Sequence, residues 1–132
     1  IYDGKYIELA GPKSEGDLAT SVGAPIESLA SGKGYLDAYT KAGYKDGYSA
    51  YGAYAYDAAN AIIAALKTSL PSAADATAAR EGTIKAMASV SFDGATGKVA
   101  FDQFGDSTSR VLTVYKVVSG AWAAEKTGEL KS

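Results

Sequence analysis

The chain has 132 residues, 47% hydrophobic and 21% charged, with a formal net charge of −2 and neither cysteine nor histidine. That length and balance suit one globular domain and lie well away from the disordered class. The missing residue types remove disulfide frameworks, thiolate chemistry, the commonest general base and the commonest transition-metal ligand together. Lysines and arginines stand singly along the chain, so the clustered positive surface that a nucleic acid requires is not expected. No window approaches the ~18 apolar residues of a membrane span, and no charged-then-apolar leader opens the sequence.

Residues 1 to 10 (IYDGKYIELA) read as a strand, because Tyr6, Ile7 and Leu9 suit a pleated surface and Gly11-Pro12 stops it. Residues 12 to 31 form a long connection rich in glycine and serine, with a short helical turn near Ile26 to Ala30. Connections of this length are usually functional or mobile. Gly32 and Gly34 precede a helix over about Tyr35 to Ala42, with Tyr35, Leu36 and Tyr39 on one side, and Lys45-Asp46-Gly47 turns the chain onward.

The proline-free stretch Tyr48 to Lys67 is rich in alanine and predicts a helix. One apolar face is Ala53, Tyr56, Ile63 and Leu66, and a second row is Ala55, Ala58, Ile62 and Ala65. A belt that wide predicts a helix covered on more than one side, and Pro71 marks its end. Ser72-Ala73-Ala74-Asp75 has the form of a capping box. It opens a helix to about Met87 or Ala88, with Ala76, Ala79, Thr83, Ile84 and Met87 as its core face.

Asp93-Gly94 then reads as a turn, Gly97 to Phe101 as a short strand, and Asp102 to Ser109 as a polar loop. Val111 to Val118 is the clearest strand, and Ser119-Gly120 turns it into Ala121 to Ala123 as a hairpin. The tail from Lys126 is polar and expected to fray. One opening strand, three helices and a terminal hairpin leave too little sheet for helices this apolar. The chain reads as incomplete.

Two stretches carry a resemblance. YSAYGAYAYDAANAIIAALK resembles the tyrosine-rich helix start, with its Tyr-Asp-Ala, of the branched-chain amino-acid type of periplasmic solute-binding protein. SVSFDGATGKVAFDQFGDSTSRVLTVYKVVSGAW is similar to the segment that follows in that family: a Ser-Phe-Asp-Gly turn, a Gly-Lys-Val strand, a loop and a long strand into a hairpin. The opening GKYIELAGP is similar to the strand with which the family leaves its second lobe. The resemblance spans residues 4 to 124 in one collinear order.

It implies an α/β chain with part of the type I periplasmic-binding-protein fold. Most would be the C-terminal portion of one Rossmann-like lobe, and a terminal β-hairpin would belong to the other. Residues 1–10 would leave the second lobe, 11–110 would add three helices and a short strand to the first, and 111–132 would cross back. Lobe crossings would fall near Leu9 to Pro12 and near Thr108 to Leu112. The chain would then be the last third or so of the extracytoplasmic binding component of an ABC importer. Its expected partners are a leucine-, isoleucine- or valine-like solute and a membrane permease. The residues that grip the ligand's ammonium and carboxylate would lie upstream, so the chain is not expected to bind alone. Its uncovered apolar faces are expected to make it self-associate.

By the same resemblance, Tyr51 occupies the aromatic position that contacts the ligand side chain; Tyr48 and Tyr54 lie within a turn of it. An aromatic there supplies an apolar wall with a polar tip. Tyr56 and Asp57 are read as structural, the first as a core contact and the second as an acidic first-turn residue that complements the helix dipole. No cofactor is expected. Gly32-x-Gly34 lacks a third glycine and a preceding strand. Asp93, Asp102 and Asp106 do not have EF-hand spacing, and Ser49 has no histidine to activate it. An enzyme is therefore not expected. Two other readings remain open: a ligand-sensing or protein-interaction domain on the same fold, and a carbohydrate-binding module suggested by the ten tyrosines.

Overall fold

The computed structural model of the chain describes residues 2 to 130. Its helices are α1 (Gly4–Ala10), α2 (Lys33–Ala42), α3 (Gly52–Ser69) and α4 (Ala76–Met87). Its strands are β1 (Leu18–Val22), β2 (Ser91–Gly94), β3 (Gly97–Ala100), β4 (Val111–Val118) and β5 (Ala121–Glu129). The chain divides into two compact units. One joins the residues up to Pro25 to those from Arg110 onward, and the other is Ile26–Ser109. Every strand pairing among the described residues is antiparallel.

The first unit is a three-stranded sheet in the order β1-β4-β5. Alternation along β4 puts Thr113, Tyr115 and Val117 on one buried face. The Thr113 hydroxyl donates to the Gly23 carbonyl at 2.7 Å and lies 2.9 Å from the Thr127 hydroxyl, so its polar atom is satisfied. The Tyr2 ring stacks on Tyr115 with centroids 3.9 Å apart, and Trp122 packs against both Tyr2 and Tyr6. The Trp122 indole donates to the Asp3 carbonyl at 3.0 Å.

Three expectations fail in this unit. The opening segment is helical, not a strand. Asp3 supplies an N-cap by accepting from the Lys5 amide at 2.7 Å, and Tyr6, Ile7 and Ala10 then share one half-buried helical face. Ile1 lies outside the described residues. The long connection contains β1, whose Leu18 pairs with Lys116 and Val22 with Leu112, so residues 11–25 fold with the terminal strands and not with the helices. The hairpin's second strand runs on to Glu129, with Lys126 paired to Val114 and Glu125 the extra residue of a bulge opposite Val114/Tyr115. Lys131 and Ser132 of the expected frayed tail lie outside the described residues.

In the second unit α3 and α4 pack together, and the β2–β3 hairpin meets α3 through Phe92 and through the Asp57 bonds to its turn. The buried row of α3 is Ala53, Asp57, Ala61, Ala65 and Ser69, one residue every helical turn. Ala61, Ala65 and Val90 form the core, with Ala86, Met87, Phe92 and Phe101 against it. Neither expected apolar face coincides with this row. Tyr56, Ile62 and Ile63 remain about half exposed. The small residues point inward because they allow the two helices to approach closely.

The helix ends are also informative. Gly43, at φ 67°, stops α2 where expected. The N-cap of α4 is Asp75, accepting from the Ala78 amide at 2.8 Å, so Ser72 does not head a capping box. On α4, Ala76 and Ile84 are exposed, while Ala79, Thr83 and Met87 are half-buried. The turn expected at Asp93-Gly94 sits two residues later, at Ala95-Thr96.

Candidate functional site

The candidate ligand-binding tyrosines lie where α2 and the segment Gly43–Tyr51 meet the start of α3. Tyr35 and Tyr39 are four residues apart on α2 and so project from one face. Tyr39 is central to a cluster of rings: its centroid lies 5.9 Å from Tyr35, 4.9 Å from Tyr44 and 6.1 Å from Tyr48. Tyr35 also meets Tyr56 at 5.6 Å. All four contacts are tilted or edge-on, the arrangement that aromatic quadrupoles favour.

Two hydroxyls anchor the segment as well. Tyr39 donates to the Asp46 carbonyl at 3.2 Å, and Tyr48 donates to the carboxylate of Glu27. The Glu27 bond, with burial adding to it, pushes the Tyr48 phenol up to about 12, because ionisation would set an anion beside a carboxylate. Burial raises the Tyr35 phenol too, with Tyr39 contributing. Tyr35 fits only because residue 52 is glycine: a Cβ there would lie 2.4 Å from the Tyr35 hydroxyl. Gly52, a weak helix former in the sequence, is therefore a site of close approach at the first position of α3.

Tyr51 takes no part in these ring contacts. It is the N-cap residue of α3, its backbone at φ −98° and ψ −4°, and its side chain is 66% exposed. Its carbonyl accepts from the Ala55 amide at 2.9 Å. Tyr54, three residues on, is half-buried. The three expected site residues are thus close in sequence but differ in setting. Tyr51 presents its ring outward, Tyr48 is engaged with Glu27 and Tyr39, and Tyr54 lies against the protein. Sequence reading missed Glu27: it falls in the short helical turn expected near Ile26 to Ala30, but nothing local marks its partner 21 residues on.

A buried carboxylate fixes the other side of α3. Asp57 is 3% exposed and accepts from the Ala95 amide at 2.9 Å, the Thr96 amide at 2.8 Å and the Thr96 hydroxyl at 2.7 Å. It thereby caps the β2–β3 turn. A Cβ on Gly94 would lie 2.6 Å from this carboxylate, which explains the glycine there. Asp57 is structural, as expected, but for another reason: it lies beyond the first turn of α3, so the helix dipole is not its partner. The Tyr-Asp-Ala of one motif and the Asp-Gly of the other meet here in space.

Among the described residues no group of three or more acidic side chains is placed to hold a metal ion, and no helix is long and apolar enough to cross a membrane.

No family model and no curated protein matches the chain. Solved structures do. A leucine-binding protein from Thermotoga maritima superposes with a TM-score of 0.72 at 23% identity, over 94% of this chain and 34% of that one. An ABC-transporter solute-binding protein from R. palustris, in complex with benzoate, matches at 0.69 and 17% identity over 92% and 32%. An ABC-transporter substrate-binding protein from Desulfitobacterium hafniense, in complex with leucine, matches at 0.67 and 20% over 91% and 33%. This chain has part of a type I periplasmic-binding-protein fold. The resemblance read from its motifs is borne out at the level of the fold, and the chain spans about a third of the length of the structures it matches. Those neighbours are solute-binding proteins, not enzymes.

Proposed function

We propose that the chain is part of the solute-binding component of an ABC importer, a non-enzymatic protein working outside the cytoplasmic membrane beside a membrane permease. The complete protein captures a small amino-acid-like solute between two lobes. In this reading the unit Ile26–Ser109 belongs to one lobe and the sheet unit to the other. The observation that carries the proposal is the collinear match to leucine-binding structures over more than nine-tenths of the chain, together with an outward-facing aromatic, Tyr51, at the start of α3. Tyr51 supplies an apolar wall for an aliphatic side chain; Tyr54 supports it from the next turn.

The polar grip on the ligand lies in the rest of the protein. Calorimetric titration of the 132-residue chain with leucine, isoleucine and valine is therefore expected to give no saturable heat. A protein that carries this chain at the full length of the matched structures is expected to bind one of them. Micromolar binding by the short chain alone would overturn the division of labour proposed here. Because one neighbour holds benzoate, benzoate belongs in the ligand panel. The carbohydrate reading is less favoured, since five of the ten tyrosines, Tyr35, Tyr39, Tyr44, Tyr48 and Tyr56, pack on one another.

A further inference from the structure

The segment Gly43–Tyr51 has no helix or strand of its own, and its residues are exposed throughout. Such a segment ordinarily samples many conformations, and an exposed ring at its end would lose that freedom on binding a ligand. Here it is tied down at three successive points. Tyr44 packs on Tyr39, the Asp46 carbonyl accepts from the Tyr39 hydroxyl, and Tyr48 packs on Tyr39 while donating to Glu27. The last tie leaves only Ser49 and Ala50 before Tyr51.

We propose that Glu27, Tyr39 and Tyr48 form a clasp that holds the Gly43–Tyr51 segment against α2 and so positions the Tyr51 ring for the ligand. Tyr48 is then a positioning residue and not a ligand contact. Its hydroxyl is already committed to Glu27, and one ring edge to Tyr39. Glu27 sits in a short 3-10 turn, Ile26–Ser28, closed by the Leu29 amide donating to the Ile26 carbonyl at 3.2 Å and packed against α2 and the turn Ala30–Gly32. The anchor is therefore fixed before the segment reaches it. Gly52 completes the arrangement by letting the Tyr35 hydroxyl lie against the first turn of α3. The clasp rests on the reading of Tyr51 as a ligand wall, but its existence can be measured without any ligand.

The test uses the complete protein that contains this chain, with Tyr48→Phe, Tyr51→Ala and the double variant. Without ligand, Tyr48→Phe is expected to speed tryptic cleavage after Lys45, in the exposed segment that the clasp holds, by about three- to tenfold, the weight of one hydrogen bond to a charged group near the surface. Cleavage after Lys67, in the last turn of α3, is expected to keep its rate. Leucine binding is expected to weaken by a similar factor in Tyr48→Phe. The double variant should bind no worse than Tyr51→Ala alone, because Tyr48 acts through Tyr51.

Unchanged cleavage after Lys45 would overturn the clasp outright. Faster cleavage with unchanged leucine affinity, in a protein that Tyr51→Ala weakens, would overturn the positioning role. An additive double variant would make Tyr48 an independent contact and overturn it too. If Tyr51→Ala leaves leucine affinity intact, the ligand-wall reading fails, and the cleavage data still decide whether the clasp exists.

Discussion

The two units are held together by opposite means. In the sheet unit the core is built on larger side chains: Tyr115 and Val117 are buried, Tyr2 stacks on Tyr115, and Trp122 joins them, while Leu9, Leu18 and Leu130 stay exposed. In the helical unit the core is Ala61, Ala65 and Val90, while Ile62, Ile63, Ile84 and Phe104 remain outside. A core of small residues buries little apolar area, so directional bonds must contribute more of the unit's order. Asp57 and the tyrosine hydroxyls supply those bonds. The sheet unit should therefore be most sensitive to lost volume, and the helical unit to lost hydrogen bonds.

The largest expected effect is at Asp57. Asp57→Ala strands a buried amide, a half-buried amide and a hydroxyl and is expected to cost about 3 kcal/mol by urea denaturation. Gly94→Ala drives a Cβ into the same carboxylate and should also destabilise. In the Asp57→Ala background its cost should shrink, since the obstructing group has gone. Equal costs in both backgrounds would mean that the contact between Gly94 and Asp57 does not determine the glycine. The counterpart in the sheet unit is Val117→Ala, at a fully buried position, expected to cost about 2 kcal/mol. Its exchange signature should stay within β1, β4 and β5. A matching loss of protection in β2 and β3 would show that the two units do not fail separately.

How much of this was legible follows from what each signal depends on. The α2 terminus, β4 and the Ser119-Gly120 turn were readable because glycine stops and strict alternation are local features. The family motifs were readable as strings, and with them Tyr51 as a candidate. The buried row of α3 was not readable, because which apolar face turns inward depends on the neighbour. Alanine beats isoleucine there only when a second helix must come close. β1 was hidden for a similar reason: Leu18 to Val22 is a strand by virtue of its ladder to β4, nearly a hundred residues away in the sequence. Asp3 is an N-cap residue type just before a helix, a signal that the strand reading of Tyr6, Ile7 and Leu9 left unused.

The exposed apolar residues of the helical unit define the next effect. Ile62 and Ile63 stand side by side on α3, each 48% exposed, and an uncovered stripe of this kind drives association. The isolated chain is expected to gain mass with concentration in light scattering. Ile62→Lys with Ile63→Glu should weaken that association about tenfold, while moving the urea midpoint little, as for other surface changes. A chain that stays monomeric at every concentration would mean that the stripe needs no cover. The small-residue core would then be sufficient for the helical unit by itself.

The smallest effect tests the hydroxyl bonds of the helical unit most directly. Tyr48 should be among the last of the ten tyrosines to ionise, at about 12, and Tyr48→Phe should remove that late step from the absorbance titration. The groups around it are Glu27, Tyr35 and Tyr39, of which Glu27 dominates the shift. The sign of the linkage is set by a phenol whose folded value lies above its unfolded one, near 10. The stability that the Tyr48–Glu27 bond contributes is therefore complete below about pH 10 and is lost as pH climbs toward 12. The stability difference between the parent chain and Tyr48→Phe should be flat up to pH 10 and then close. Tyr6, raised chiefly by its bond to Asp17 in the sheet unit, serves as the internal contrast. Removing its hydroxyl should leave tryptic cleavage after Lys45 untouched, since Tyr6 and Asp17 belong to the sheet unit and the clasp to the helical one.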